Sequence, residues 1–262
     1  MTRILVTNDD GIYSEGIKLL AQALASVDGV TEVVVVAPDR EQSATGHSLT
    51  LTRPLRMQKL RENWYAVDGT PTDCVNLAVL SLLKDSRPDL VVSGINFGLN
   101  LGDDVTYSGT VSATFEGTLL GIPSIAFSQE IEEGYSFARS AELAAGFVAR
   151  VLAAPRPDDM LLNVNFPAAP PNGISFTRLG RRVYQQSVIE KVDPRGKTYY
   201  WIAGTPEWQK ERGTDHEAVF EGRISVTPLH LDLTDYRGLD GYVDLRQRLE
   251  SLSAGSPVPD AR

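Results

Sequence analysis

The chain has 262 residues, 42% of them apolar and 23% charged, with a formal net charge of −9. That length suits one large α/β domain or two small ones with a sizeable core. The acidic balance disfavours a broad nucleic-acid surface. A single cysteine, Cys74, leaves no intrachain disulfide, argues against a cysteine-based zinc site and fits a reducing, cytoplasmic location. No run approaches the ~20 apolar residues of a spanning helix. Met1-Thr2-Arg3 leads straight into a strand-like segment instead of a signal peptide.

In chain order, Arg3 to Thr7 reads as a buried strand, and Gly11 turns the chain. Ser14 is a plausible N-cap for a helix with the stripe Ile17, Leu20, Leu24 and Val27, and Gly29 follows as a stop signal. Val33 to Val36, four valines in a row, mark a strand covered on both faces. This β-α-β unit implies a parallel sheet with a right-handed crossover. Thr70-Pro71-Thr72-Asp73 has the signature of a capped helix start, and that helix is expected to run to about Leu83. Leu90 to Ser93 is the next strand, then a Gly-rich loop from Gly94 to Gly109. A helix is expected from about Thr110 to Leu120, a strand over Ile122 to Phe127, a helix over Phe137 to Leu152 and a strand over Leu161 to Val164. After Pro167 the chain turns strand-like. Gln185 to Lys191 and Thr198 to Ala203 flank Asp193-Pro194-Arg195-Gly196 as a hairpin. Its aromatic arm, Tyr199-Tyr200-Trp201, either packs on its own domain or meets another subunit. Ser253 to Arg262 read as a frayed tail. The expected organisation is a single domain over 1–262, with a core over 1–170 and C-terminal strands, arm and tail over 171–262.

The chemistry-bearing residues sit at strand ends. Asp9 and Asp10 follow the first strand, and neighbours on a strand point to opposite faces unless the chain bends, as Gly11 allows. Two adjacent carboxylates repel, and a divalent cation relieves the repulsion. Oxygen-only ligands favour Mg²⁺, Mn²⁺ or Ca²⁺. A polar turn with Asx hydrogen bonds explains the motif equally well by itself. Ser43 and Asn96 lie beyond two other strands, the side on which open parallel sheets bind ligands. Ser108-Gly109-Thr110 opens a helix and would offer N–H groups and hydroxyls to a phosphate, with ordinary capping as the alternative. His47 could serve as an acid or base, although an isolated histidine is more often structural. Cys74, in the first turn of a helix, reads as a small packing residue. The glycines make no GxGxxG, and there is no P-loop, GxSxG elbow or HExxH.

Taken together, NDDG, APDREQSATG, VDGTPTDCV, SGINFGLNLGDDVTYSGTVSA and GTDHEAV followed by ISVTPL resemble the SurE (survival protein E) family of 5′/3′-nucleotidases, in order from residue 4 to about residue 235. The resemblance implies a Rossmann-like three-layer α/β sandwich with a mostly parallel central sheet and a C-terminal hairpin arm exchanged between subunits. It implies one Mg²⁺ or Mn²⁺ per subunit on Asp9, Asp10, Ser43 and Asn96, with Ca²⁺ able to occupy the site, and a phosphate cradle at Ser108, Gly109 and Thr110. It further implies hydrolysis of nucleoside 5′- and 3′-monophosphates, short polyphosphate in some relatives, and a homodimer or homotetramer built through the arm. A nucleotide-binding module without catalysis and an interaction protein built on the aromatic hairpin are the other classes the sequence leaves open.

Overall fold

The computed structural model describes residues 2–185, 188–202, 205–243, 245, 246, 249 and 250. The first strand, β1 (Thr2–Thr7), shows why the chain makes layers. Ile4 and Val6 enter one hydrophobic cluster and Leu5 enters another, as the two-residue period of a strand requires. Helix α1 (Glu15–Leu24) covers the first face with Ile17, Leu20 and Leu24. Strand β2 (Val30–Pro38) then returns parallel to β1, in register from Arg3 opposite Glu32 to Val6 opposite Val35. Val27 lies past the helix, in a turn where its N–H donates to Leu24 O. Ser14 is the N-cap, but its side chain makes no capping bond. Its Oγ instead accepts from Asn8 Nδ2 at 2.8 Å, which ties the helix start to the end of β1.

A short antiparallel pair follows, β3 (Met57–Arg61) and β4 (Trp64–Val67), with β4 parallel to β2. Helix α2 (Pro71–Leu77) begins with the predicted capping box, because the Thr70 hydroxyl accepts from Asp73 N–H while Asp73 Oδ2 accepts from Thr70 N–H. The helix widens into a π turn over Ala78–Leu82, so its end falls close to the expected Leu83. Buried Asp73 also accepts from the N–H and hydroxyl of Thr50 at 2.9 and 2.6 Å. Removing it strands those donors, so Asp73→Ala is expected to cost about 2–4 kcal/mol, read as a lower urea midpoint with an unchanged slope.

Strand β5 (Leu90–Phe97) departs from the sequence reading. The Gly-rich stretch expected to be loop from Gly94 continues the strand to Phe97, with a register shift against the next strand between Ser93 and Asn96. A bulge carries a strand through residues that composition alone assigns to a turn. A 3-10 turn, Gly102–Thr106, leads to helix α3 (Gly109–Leu119). Then come β6 (Ser124–Gln129), α4 (Phe137–Ala153) and β7 (Leu161–Phe166). The C-terminal strands are β8 (Ile174–Phe176), β9 (Arg182–Gln185), β10 (Val188–Val192), β11 (Thr198–Ile202), β12 (Thr205–Trp208) and, after helix α5 (Asp215–Phe220), β13 (Ile224–Pro228).

The main sheet has the order β3-β4-β2-β1-β5-β6-β7-β13-β8. Its centre from β4 to β7 is parallel, and β13 runs antiparallel to β7. Helices α1 and α4 cover one face, where Ala141, Ala144 and Val148 join the α1 stripe; α2 and α3 cover the other through Cys74, Val75, Ala78 and Ala113. The result is a three-layer α/β sandwich. Cys74 is a packing residue, fully buried, with burial and the nearby Asp73 and Asp39 charges pushing its thiol far from ionisation.

Strands β10 and β11 form the predicted hairpin, and β9 pairs with β12 at its base. The aromatic arm does not pack on its own domain: Tyr200 and Trp201 are each 61% exposed. The chain divides into two compact units, Met1–Leu229 and His230–Arg262. The second holds a turn in which Asp232 accepts from Thr234 N–H, followed by a 3-10 turn at Leu239–Tyr242. Gln186, Ser187 and Ala203 of the predicted hairpin and the predicted tail from Ser253 to Arg262 lie outside the described residues. Among the described residues, no helix is long and apolar enough to cross a membrane.

Candidate active site

The sheet reverses its winding between β1 and β5, since the chain leaves β1 for β2 on one side and returns to β5 on the other. Strand ends diverge at such a point and leave a crevice. Asp9 and Asp10 leave the end of β1, while Asn96 sits near the end of β5. Gly16 closes the back of this crevice. A Cβ there would lie 2.2 Å from Ile95 O, so only glycine lets α1 approach the end of β5 so closely.

Asp9 is buried, and its Oδ1 accepts a very short hydrogen bond from the Thr110 hydroxyl. The same hydroxyl lies 3.3 Å from Asn96 Oδ1. Thr110 thus joins residues from β1, β5 and α3 at one oxygen. Backbone N–H groups of Gly109 and Thr110 also face the Asp9 carboxylate. Gly109 has no room for a side chain, because a Cβ would sit 2.8 Å from Asp9 Cβ and 2.9 Å from Oδ2. Asp10 Oδ2 accepts from Phe97 N–H at 3.1 Å.

Burial raises the pKa of both carboxyls. For Asp9, the hydrogen bonds from Thr110 and the nearby N–H groups oppose the rise. For Asp10, the neighbouring Asp9 and Glu41 charges add to burial and lift it to about 6. Two crowded carboxylates that resist ionisation are a site lacking positive charge.

The loop after β2 is fastened to this centre. Gln42 N–H donates to Asp9 O at 2.8 Å, and Gly46 N–H donates to Tyr107 O at 3.1 Å. Ser43 is exposed, and its hydroxyl donates to Glu41 Oε1 at 2.7 Å. Ser108 caps α3, its Oγ accepting from Val111 N–H at 3.1 Å. A cavity of about 700 Å³ brings together Asp9, Ser43, Asn96 and Ser108, with Phe97, Leu99, Asn100 and Tyr107 along its walls.

His47 is not brought to this cavity. Its Nε2 lies 2.8 Å from Glu116 Oε2, and Glu116 Oε1 accepts from Asn76 Nδ2 at 2.6 Å. Its ring meets Phe115 edge-on. Thr110, expected as a cradle residue, instead directs both its hydroxyl and its backbone N–H at Asp9, and Ser108 caps the helix.

Sequence reasoning missed a buried amide cluster behind the cavity. Asn100 N–H donates to Asn165 Oδ1 and its Nδ2 to Ser128 Oγ, while its carbonyl accepts from Asn163 and Asn165. The signal was the pair Asn163 and Asn165, two residues apart on one face of an apolar strand. Asp215 was missed too. Wholly buried, it accepts from Gly102 N–H and Gly180 N–H, each at 2.8 Å, and so pins the segment that leads to Ser108.

Among the described residues, no cluster of three His, Cys, Asp or Glu side chains is placed to hold a metal. The candidate set is two carboxylates, one amide and one hydroxyl. An all-oxygen set with two reluctant anions fits a hard divalent cation and does not fit a soft one.

The fold and the site define an α/β sandwich with an oxygen-lined crevice at the switch point of its sheet. The family model described as Survival protein SurE matches residues 4–186. The chain belongs to that family. It is 53% identical over 238 residues to the protein named 5′-nucleotidase SurE of Myxococcus xanthus, covering 89% of each chain. It is 55% identical over 243 residues to that of Syntrophotalea carbinolica, covering 90% of this chain and 94% of the relative. The crystal structure of the SurE protein from Aquifex aeolicus superposes with a TM-score of 0.83 at 49% identity, over 93% of this chain and 99% of the other.

Proposed function

We propose that this chain is a metal-dependent phosphomonoesterase that hydrolyses nucleoside 5′- and 3′-monophosphates to nucleoside and phosphate, with short polyphosphate as a further substrate. The observation that carries the reading is the convergence of Asp9, Thr110 and Asn96 at the switch point, beside the N-terminus of α3. Relatives at 53–55% identity that are named 5′-nucleotidases supply the nucleotide.

Asp9, Asp10, Ser43 and Asn96 would hold one Mg²⁺ or Mn²⁺. When bound, that ion neutralises phosphoryl charge and lowers the pKa of a water. Asp9 and Asp10 are held before substrate arrives, by Thr110 and by Phe97 N–H, so little reorganisation remains for the reaction. The Ser108 hydroxyl and the positive end of the α3 dipole would meet the phosphoryl oxygens, and the Gly109 and Thr110 N–H groups, now turned to Asp9, would be shared with them. Asp9 or Asp10 orients the attacking water. The exposed arm, Val188–Ile202, serves assembly into a homodimer or homotetramer. The protein works in the cytoplasm on small phosphate esters.

The test is a panel of 5′- and 3′-nucleotides, polyphosphate and sugar phosphates, each with Mg²⁺, Mn²⁺, Ca²⁺ or chelator. Nucleotide turnover should require Mg²⁺ or Mn²⁺ and stop with chelator. Turnover that survives exhaustive chelation would remove the metal from the mechanism, and a panel with no nucleotide turnover would remove the nucleotidase reading.

A further inference from the structure

The cavity, at about 700 Å³, is far larger than a phosphate needs. Its lining combines the polar Asp9, Ser43, Asn96, Asn100, Asp104 and Ser108 with the apolar or aromatic Phe97, Leu99, Tyr107 and Ile202. Two aromatic rings there are left open to water, Phe97 at 56% and Tyr107 at 64% exposure. Large exposed aromatics beside a buried charged centre are costly unless something covers them.

Phe97 is held in place. Its ring centroid lies 6.3 Å from Tyr135, edge-on, and 6.3 Å from Phe137, tilted. Its backbone N–H is fixed on Asp10 Oδ2. One residue therefore carries both a packed aromatic face and a bond to the Asp10 carboxylate, next in sequence to Asp9 of the cavity lining. A rigid face binds a flat ligand with little ordering cost.

Resting on the nucleotidase reading above, we propose that Phe97 is the stacking platform for the nucleobase, with Tyr107 on the neighbouring wall, and that it makes the site select nucleotides over phosphate esters without a base. Stacking uses the π face that every base presents, so the platform separates base from no base and discriminates little among bases.

The test compares kcat/KM for 5′-AMP with that for ribose 5-phosphate, which keeps the ester and the sugar but lacks the base. In the wild type, 5′-AMP should be favoured. In Phe97→Ala and Phe97→Leu the ratio of the two should fall by about 5- to 100-fold, the range that base–aromatic stacking supports. Phe97→Tyr should keep it. The ratio cancels any general damage to the fold or to Asp10. A ratio that stays constant while both substrates lose activity together would make Phe97 a structural residue and overturn the proposal. So would a wild type that prefers ribose 5-phosphate. Should the wild type hydrolyse neither, the nucleotidase reading has failed, and titration calorimetry with 5′-AMP decides the platform by itself. Binding weakened by the same factor in Phe97→Ala supports it, and binding equal in both proteins, or absent from the wild type, overturns it.

Discussion

Asp10→Ala is expected to lower metal-dependent turnover by more than about a hundredfold while leaving the fold intact, because a direct ligand should matter at least as much as the partners behind it. The same position should show the opposite effect on stability. In metal-free protein, the unfolded Asp10 carboxyl titrates near 3.8 and the folded one at about 6. The folded state thus holds that proton more tightly, and the stability tied to it is full below about 3.8 and lost as pH rises through about 6. At neutral pH the folded protein carries an ionised Asp10 against burial and against the Asp9 and Glu41 charges. Asp10→Asn should relieve this by on the order of 1 kcal/mol, after discounting for partial exposure. That is about 2–4 °C in the midpoint of the chelator-treated protein for a chain of this size. The gain should fade by pH 4. A folded Asp10→Ala variant with near-normal turnover would remove Asp10 from the site. A metal-free Asp10→Asn midpoint below wild type at pH 7.5 would mean that the bond to Phe97 N–H outweighs the charge crowding.

Gly109→Ala should be as damaging to catalysis for a purely steric reason. The new methyl would meet Asp9 Cβ at 2.8 Å, Asp9 Oδ2 at 2.9 Å and Thr45 Oγ1 at 3.2 Å. None of these is the loose end of a long side chain, and Asp9 is buried and bonded to Thr110. Either the carboxylate or the start of α3 must move. Overpacking of this kind costs about 1–3 kcal/mol in stability. Displacing a positioned group by an ångström costs about a hundredfold in rate. Steady-state kinetics with saturating Mn²⁺, alongside calorimetric Mn²⁺ titration, should show both turnover and cation affinity falling. Wild-type values for both would show that α3 can retreat without consequence and that the Gly109 contact is incidental.

Periodicity carried the fold from the sequence wherever one physical signal dominated. The four valines, the α1 stripe from Ile17 to Leu24 and the Thr70 capping box each had a single reading and appear where expected, while Val27 falls beyond the helix end. Polar strand ends were harder, because a strand that bulges and a loop share a composition. Gly94 to Phe97 was therefore read as loop although it extends β5. Asp9, Asp10, Ser43 and Asn96 were legible as candidates because each follows a strand-like run. Their mutual placement was not legible, since no sequence pattern puts the Thr110 hydroxyl on Asp9, 101 residues away. Nor could spacing show that His47 would be taken up by Glu116. Asp215, buried among backbone donors, sits in the first turn of α5, a position where acids are common, so nothing in its sequence context sets it apart.

The close approach of Gly16 to Ile95 divides the crevice into a stiff side and a compliant one. Asp9 and Asp10 directly follow β1 and Asn96 lies in β5, two strands joined by sheet bonds, with α1 pressed against the end of β5. Asp9 and Asp10 are further tied by the Thr110 hydroxyl and by Phe97 N–H. Ser43 rides on a largely exposed loop whose ties to the rest are a few backbone hydrogen bonds. Local opening is cheapest where burial is least. Any breathing at the mouth of the crevice therefore falls first to the serine side, where one exposed hydroxyl moves while the buried Asp9 stays bonded to Thr110.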